Sequence, residues 1–159
     1  MAVAIDRASS LEDFERLREL LVAYEEDLPV ELRHGPVPSL EELSGRYRGP
    51  NAAFIARLDA TSAGCVVFLA QDASTGVPAR LYVAPHARKH GAGRALVHAV
   101  MAFAHEGPYD RLVLDTHREL LGLAYRLYIS LGFVEYQPPC AETTGACSTF
   151  MRLSLRDRP

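Results

Sequence analysis

The stretch HARKHGAGRALV, residues 86–97, places basic side chains, two glycines and the start of a helix next to one another. Arg88, Lys89 and Arg94 carry positive charge, and Gly91 and Gly93 leave the backbone accessible because they lack a Cβ atom. The first turn of a helix has backbone N–H groups without helical partners, and the helix dipole favours an anion beside them. These residues predict a loop that binds a phosphate group.

The segments on either side of this loop predict a strand–loop–helix–strand unit. A strand is expected at 79–83 and another at 111–116, with a helix at 93–105 between them. Gly107 and Pro108 are expected to end that helix. A crossover of this length predicts that the two strands run parallel.

The remaining elements follow from periodicity and from turn residues. Two capping boxes, Ser9 with Glu12 and Ser39 with Glu42, predict the starts of two N-terminal helices. We expect strands at 3–6, 53–58, 65–70, 133–137 and 148–155, and a further helix at 119–131 that ends at Gly132. The fold class is therefore mixed α/β, with meander strands first and one parallel crossover.

Composition restricts the classes of protein to consider. The 159 residues suit a single domain over 1–159, and the net charge of -3 argues against a nucleic-acid partner. The cysteines, at 65, 140 and 147, do not suggest a disulfide framework, so we expect a cytoplasmic protein. We expect no bound metal, no signal peptide and no membrane partner, because the corresponding spacings and apolar runs are missing from the sequence.

The loop differs from one general phosphate-binding motif and partly matches another. The nucleoside-triphosphate motif G-x-x-x-x-G-K-[ST] is absent. The dinucleotide motif is matched at two of its three glycines, and Asp115 lies near the place of a ribose-binding acid. This alternative predicts NAD binding, although the 66 residues after Gly93 are too few for a full doubly wound sheet.

A third interpretation accounts for more of the sequence. The run from Arg88 to Gly93 has the pattern Q/R-x-x-G-x-G/A, and AYRLYISLGF at 124–133 matches A-x-x-L-Y-x-x-x-G-F at each fixed position. Both motifs, in this order, resemble the GCN5-related N-acetyltransferase (GNAT) superfamily. The resemblance implies a mostly antiparallel mixed sheet with splayed central strands, and transfer of an acetyl group from acetyl-CoA to a primary amine.

The resemblance also implies roles for individual residues. It implies that Tyr128 is the general acid and that the Val83 amide is a donor to the oxyanion of the tetrahedral intermediate. The backbone of 81–83 would pair with the pantetheine arm, and the amides of 89–94 would hold the pyrophosphate. The cofactor-binding residues implied in this way are Leu81, Tyr82, Val83, Arg88, Lys89, His90, Gly91, Ala92, Gly93 and Arg94.

Two positions depart from the family pattern. The strand TGVPARLYV carries no acid where many relatives have a glutamate base, and Leu121 replaces a common asparagine. Candidate bases are Asp72, His117 and His34, and a substrate amine with a depressed pKa, or water, would remove the need for one. Without a base, the alternative is a non-catalytic module that binds CoA.

The amine acceptor, a small molecule or a peptide, is not identified by the sequence. Acidic residues at 25–27 and Glu31 are expected to attract a cationic amine. Tyr47, Tyr136 and the segment 138–149 are candidate pocket walls, and Tyr125 is expected to pack or to line the pocket. An edge strand at 148–155 suggests a homodimer. Nothing in the sequence indicates a redox role for Cys140 or Cys147.

Overall fold

Residues 2–138 and 148–156 are described by the computed structural model. The strands are β1 (Val3–Arg7), β2 (Ala52–Leu58), β3 (Thr61–Ala70), β4 (Thr75–Val83), β5 (Arg111–Thr116), β6 (Val134–Glu135) and β7 (Thr149–Ser154). The helices are α1 (Leu11–Asp27), α2 (Leu40–Arg46), α3 (Ala92–Glu106) and α4 (Gly122–Ser130), with short 3-10 turns at Val30–Leu32 and Pro85–Ala87.

The strands form one sheet in the order β1-β2-β3-β4-β5-β7-β6. Neighbouring strands are antiparallel except β4 and β5, which pair in parallel only at Thr75 with Arg111 and at Gly76 with Leu112. Beyond these residues β4 and β5 diverge, so the predicted parallel crossover and splayed central strands are confirmed. The prediction of an edge strand at 148–155 is wrong, because β6 pairs with the outer side of β7.

The first helix begins one residue later than predicted. The N-cap of α1 is Ser10, whose hydroxyl accepts a hydrogen bond from the Asp13 backbone N–H at 3.1 Å. The Asp13 carboxylate accepts from the backbone N–H groups of Ser9 and Ser10, so Ser9 with Glu12 does not form the capping box. The second predicted box, Ser39 with Glu42, is confirmed at the start of α2.

Two strands are longer than their apolar runs suggest. The β2–β3 turn needs only Asp59, with a φ of +56°, and Ala60, so β3 begins at Thr61. Strand β4 begins at Thr75 and tolerates Pro78, which cannot donate a backbone hydrogen bond. Pro78 lies just beyond the last residue that pairs with β5, where β4 has one strand neighbour.

Helix α4 is shorter than predicted at its start. Residues 117–121 form a turn in which the Leu120 backbone N–H donates to His117 Nδ1 and the Leu121 N–H donates to the His117 carbonyl. The helix therefore begins at Gly122 and ends, as predicted, before Gly132, whose φ is +100°.

Apolar side chains are buried on both faces of the sheet. On one face, Leu96 and Val97 of α3 pack with Phe68 and Leu112 of the sheet. On the other face, α1 and α2 cover a second cluster in which Ile55 and Tyr82 are buried together with Leu17. The central strands β2, β3 and β4 are therefore covered on both faces, and β4 diverges from β5 at the border of this covered region.

Candidate functional site

The loop between β4 and α3 has the geometry expected of an anion site. Lys89 and Gly91 have positive φ angles, +71° and +81°, and no side chain caps the N-terminus of α3 at Gly91. The first helical hydrogen bond runs from the Ala95 N–H to the Gly91 carbonyl, so the three preceding N–H groups have no helical acceptor. Such a helix start favours a phosphate oxygen.

The two loop glycines have different roles. A Cβ atom added at Gly91 would meet no other atom within 4 Å, so the space above this residue is open. A Cβ added at Gly93 would lie 3.3 Å from Leu127 Cδ2 and 3.5 Å from Val83 Cγ2. Gly91 is therefore the residue that leaves room for a ligand, whereas Gly93 lets α3 pack closely against α4 and β4.

Two of the basic side chains hold the loop in place. Arg88 donates from Nε to the Val83 carbonyl at 3.0 Å and from a terminal nitrogen to Asp27 at 3.1 Å, which ties the loop to the end of α1. Arg94 donates to the Ser130 hydroxyl at 2.8 Å. The side chains of Lys89 and His90 are exposed. Ligand binding by the sequence-predicted residues stays a prediction.

Strand β4 contains a bulge where it borders the opening. Cys65 of β3 is opposite Tyr82 and Val67 is opposite Ala79, so two steps along β3 correspond to three along β4. The extra residue is accommodated at Arg80, whose φ is +57°. Leu81 and Val83 then pack towards α3, and Tyr82 packs towards α1. Within the described part of the chain, the edge of β4 beyond Gly76 has no parallel strand partner and can accept an extended chain.

Tyr128 lies on α4 and is 6% exposed, with its ring centroid 5.4 Å from that of Phe133. Burial raises the pKa of Tyr128 far above its usual range, and the nearby Tyr24 and Asp115 raise it further. The phenol therefore keeps its proton at neutral pH. Burial also raises the pKa of Tyr24 to about 12.

Two cavities meet at the bulge. The larger, about 350 Å³, lies between the diverging strands and is bordered by Asp115 and His117 at the end of β5. The smaller, about 200 Å³, lies beneath the segment that joins α1 to α2 and includes Tyr47. Both cavities are lined by Tyr24, His34 and Arg80.

The three candidate bases have different surroundings. Asp72 lies in the β3–β4 turn, where it accepts hydrogen bonds from Ser74, and it lines neither cavity. His117 lines the larger cavity, but its Nδ1 accepts the Leu120 N–H, so its other nitrogen carries the proton. His34 lies between Glu25 and Arg80.

Asp115 is a carboxylate whose position in the sequence indicated only a ribose contact in NAD binding. It is exposed at the end of β5 and lines the larger cavity. Its place at the carboxyl end of a strand in the predicted crossover was the available signal. The doubly wound parallel sheet that the NAD hypothesis requires is not the observed sheet, in which one pair of described strands is parallel.

The four acidic residues expected to attract an amine do not act as one cluster. Glu25 accepts two hydrogen bonds from His34, and Asp27 pairs with Arg88. Glu31 lines the larger cavity. Only part of the predicted negative charge therefore borders the cavities.

The other residues predicted to line the pocket lie in different parts of the structure. Tyr47 lines the smaller cavity, as expected. Tyr136 lies beside the Arg152 guanidinium, 5.3 Å from the ring centroid, and Tyr125 donates a hydrogen bond to Glu135 at 2.7 Å. Most of the segment 138–149, with Cys140 and Cys147, lies outside the described residues.

Residues 2–138 and 148–156 contain neither a membrane-spanning helix nor a metal-binding group of side chains. None of the helices there has both the length and the apolar character needed to cross a bilayer. Within the same residues, no group of three or more His, Cys, Asp and Glu side chains is placed to hold a metal ion.

A family model described as an acetyltransferase (GNAT) domain matches residues 50–135, which include the loop, the bulge and Tyr128. The chain belongs to the acetyltransferase (GNAT) family. The match confirms the resemblance inferred from the two sequence motifs. A search of curated proteins found no significant match.

Solved structures of GNAT acetyltransferases share the fold over nearly the whole chain. A Staphylococcus aureus GNAT acetyltransferase has a TM-score of 0.77 at 17% identity, covering 98% of this chain and 100% of its own. The Salmonella typhimurium protein yncA, solved with its cofactor acetyl-CoA, has a TM-score of 0.76 at 19% identity, covering 99% and 96%. The paia N-acetyltransferase of Thermoplasma acidophilum, in complex with coenzyme A, has a TM-score of 0.73 at 20% identity, covering 97% and 99%.

Proposed function

We propose that this protein is an N-acetyltransferase that moves an acetyl group from acetyl-CoA to a primary amine. The observation that carries the proposal is the presence, in a chain of the GNAT family, of an uncapped start of α3 directly after a strand, β4, whose edge is open beyond Gly76. Asp115 lines the opening between β4 and β5, and its charge lies close enough to Tyr128 to raise the pKa of the phenol.

The residues present fit acetyl-CoA both at the loop before α3 and at the edge of β4. The N–H groups that precede Ala95 suit the pyrophosphate, and the open space above Gly91 leaves room for it. Lys89 and His90 are exposed and free to approach the phosphates. The edge of 81–83 suits the pantetheine arm as an added strand, with the Val83 amide as a donor to developing negative charge.

Side chains of the protein can accept the proton that the amine loses and donate the proton that the departing sulfur gains. When bound, acetyl-CoA supplies a thioester; the amine nitrogen forms a bond to its carbonyl carbon and the carbon–sulfur bond breaks. Asp115, which lines the larger cavity together with Glu31 and lies at the end of β5, can take the proton from the amine. Tyr128, which keeps its proton at neutral pH, can supply a hydrogen bond and a proton to the sulfur.

Calorimetric titration with acetyl-CoA, with NAD as the control, tests the cofactor assignment. We expect acetyl-CoA to bind and NAD not to bind. The opposite result would overturn the proposal. Mass spectrometry of acetylated products from a panel of amines then tests turnover.

The Asp115→Asn variant tests the proposed base. We expect a loss of about 100-fold or more in turnover, the usual range for a general base, with acetyl-CoA affinity unchanged. Asp72→Asn is the matched control, because Asp72 lies outside both cavities and asparagine can keep its turn hydrogen bonds. Equal turnover of the two variants would exclude Asp115 as the base.

A non-catalytic CoA-binding module is the second candidate. It is favoured by the sequence of β4, which has no acidic residue between Thr75 and Val83. Binding of acetyl-CoA without acetylation of any amine in the panel would support this alternative.

A further inference from the structure

Arg80 borders both cavities and anchors a short chain of hydrogen bonds. Its guanidinium donates to His34 Nε2 at 3.2 Å, because an arginine has no acceptor. His34 therefore carries its proton on Nδ1, which donates to the Glu25 carboxylate at 2.9 Å. The order Arg80–His34–Glu25 follows from the donor and acceptor properties of the three side chains.

Glu25 holds His34 rather than Arg80. One Glu25 oxygen accepts from His34 Nδ1 and the other accepts from the His34 backbone N–H at 2.6 Å. Among the described residues, His34 is the one hydrogen-bond acceptor of the Arg80 guanidinium, which has no carboxylate within 4 Å. Arg57 and Arg88, by contrast, pair with carboxylates. Arg80 thus retains N–H donors at the cavity walls.

The backbone at Arg80 is also unusual. Its φ of +57° lies in the left-handed region, which residues other than glycine and asparagine rarely adopt. Such strain is concentrated at binding and catalytic sites in proteins. The bulge places the Arg80 side chain on the α1 side of the sheet, against His34, instead of continuing the alternation of β4.

The two walls of the larger cavity carry opposite charges. Arg80 is on the β4 wall, while Asp115 ends β5 and Glu31 closes the side near α1. A planar guanidinium binds a carboxylate with two parallel hydrogen bonds. A carboxylate at one wall and an ammonium at the other match a molecule that carries both groups.

We propose that Arg80 binds the carboxylate of the acceptor, which is a free α-amino acid whose amino group faces Asp115. This inference rests on the proposed acetyltransferase function and names its acceptor class. Arg80 is then a specificity-determining residue, oriented by His34 and Glu25.

The experiment compares each amino acid with its own amide, which removes the negative charge but keeps the side chain and the amine. The probes are L-leucine with L-leucinamide, and L-phenylalanine with L-phenylalaninamide. The readout is kcat/KM for the acetylated product, measured by mass spectrometry. The amide amines are less basic and more of each is unprotonated at neutral pH, so a preference for the acid cannot come from intrinsic reactivity.

We expect wild-type protein to prefer each acid over its amide by about tenfold or more, as a charged hydrogen-bonded pair implies. Arg80→Gln should remove this preference by slowing the acid and leaving the amide within about threefold. Arg80→Lys should retain part of this preference, because lysine keeps the positive charge but cannot donate two parallel hydrogen bonds to a carboxylate. Arg111→Gln, an exposed arginine at the opposite end of β5, should leave both rates unchanged.

A wild-type protein without preference for the acid would overturn the inference, and so would an Arg80→Gln variant that slows acid and amide equally. If Arg80→Gln does not fold, the wild-type comparison and Arg80→Lys decide. If other amines of the panel are acetylated but no amino acid is, the acceptor class alone is wrong. If the wild-type protein does not bind acetyl-CoA, the proposed function itself is overturned.

Discussion

Replacing Gly91 by alanine tests the phosphate loop while changing little else in the free protein. Gly91 has a φ of +81°, and an added Cβ would meet no other atom within 4 Å. The cost is therefore the left-handed backbone, about 1–2 kcal/mol, offset in part by about 0.4–1 kcal/mol from a less flexible unfolded chain. We expect a net loss of about 1 kcal/mol in the free energy of unfolding, or about 2–4 °C in Tm.

Gly49 provides a matched control for this strain. Its φ is +64°, an added Cβ would also meet nothing within 4 Å, and it lies between α2 and β2. Gly49→Ala should therefore lower Tm by a similar amount. Only Gly91→Ala places a methyl group above the loop amides, where it should remove one charge-assisted hydrogen bond worth about 1.5–3 kcal/mol. We expect its acetyl-CoA Kd to rise tenfold or more.

Calorimetry at constant ionic strength measures both affinities, and thermal unfolding measures both stabilities. Gly91→Asn is a third variant, because asparagine adopts the left-handed region more readily than alanine. It should recover stability without recovering affinity. Equal acetyl-CoA affinity in the Gly91→Ala and Gly49→Ala proteins would refute the assignment of the loop to phosphate binding.

Three further substitutions test the acid, a helix cap and the bulge. Tyr128→Phe should reduce turnover about 100-fold with acetyl-CoA affinity within twofold; unchanged turnover in the product assay would leave the acid role unsupported. Asp13→Asn should cost about 1 kcal/mol at pH 7 in urea unfolding. Hydrogen bonds, led by that from the Ser9 backbone, hold the pKa of Asp13 below its usual range. Its stabilisation is therefore present above the unfolded pKa of about 3.9 and is lost as pH falls through the lower folded pKa; an equal difference at pH 7 and pH 2 would contradict this. Gly64→Ala would bring a Cβ to 2.4 Å from the Tyr82 carbonyl oxygen, so we expect a loss of about 1–3 kcal/mol, and unchanged urea unfolding would argue against the bulge geometry.

The order of elements was predictable because each rests on local signals. The strand–helix–strand crossover could be inferred from the spacing of 79–83, 93–105 and 111–116, since a crossover of that length requires parallel strands. The cap of α1 was misassigned because both Ser9 and Ser10 have an acid three residues later. Which serine adopts the extended backbone of an N-cap depends on how the preceding strand enters the helix.

The candidate site was predictable only where a motif marks it. The loop at 88–93 and Tyr128 follow from short patterns whose spacing is local. Arg80 and Asp115 lie on opposite walls of a cavity that exists only because β4 and β5 diverge, and no local pattern indicates this divergence. The contact between His34 and Arg80 likewise joins residues 46 positions apart.

The bulge explains why the alternation of β4 could not be interpreted from sequence. Side chains of a regular strand alternate between faces, so residues three apart point in opposite directions. Ala79 and Tyr82 nevertheless both pack on the α1 face. Their partners across the strand pair, Val67 and Cys65, lie on the same face. One extra residue in a strand moves the side chains that follow it to the opposite face of the sheet. If the same residues formed a regular strand without the bulge, Tyr82 would face α3. The bulge at Arg80 therefore sets both the packing of Tyr82 against α1 and the position of the Arg80 side chain at the cavity.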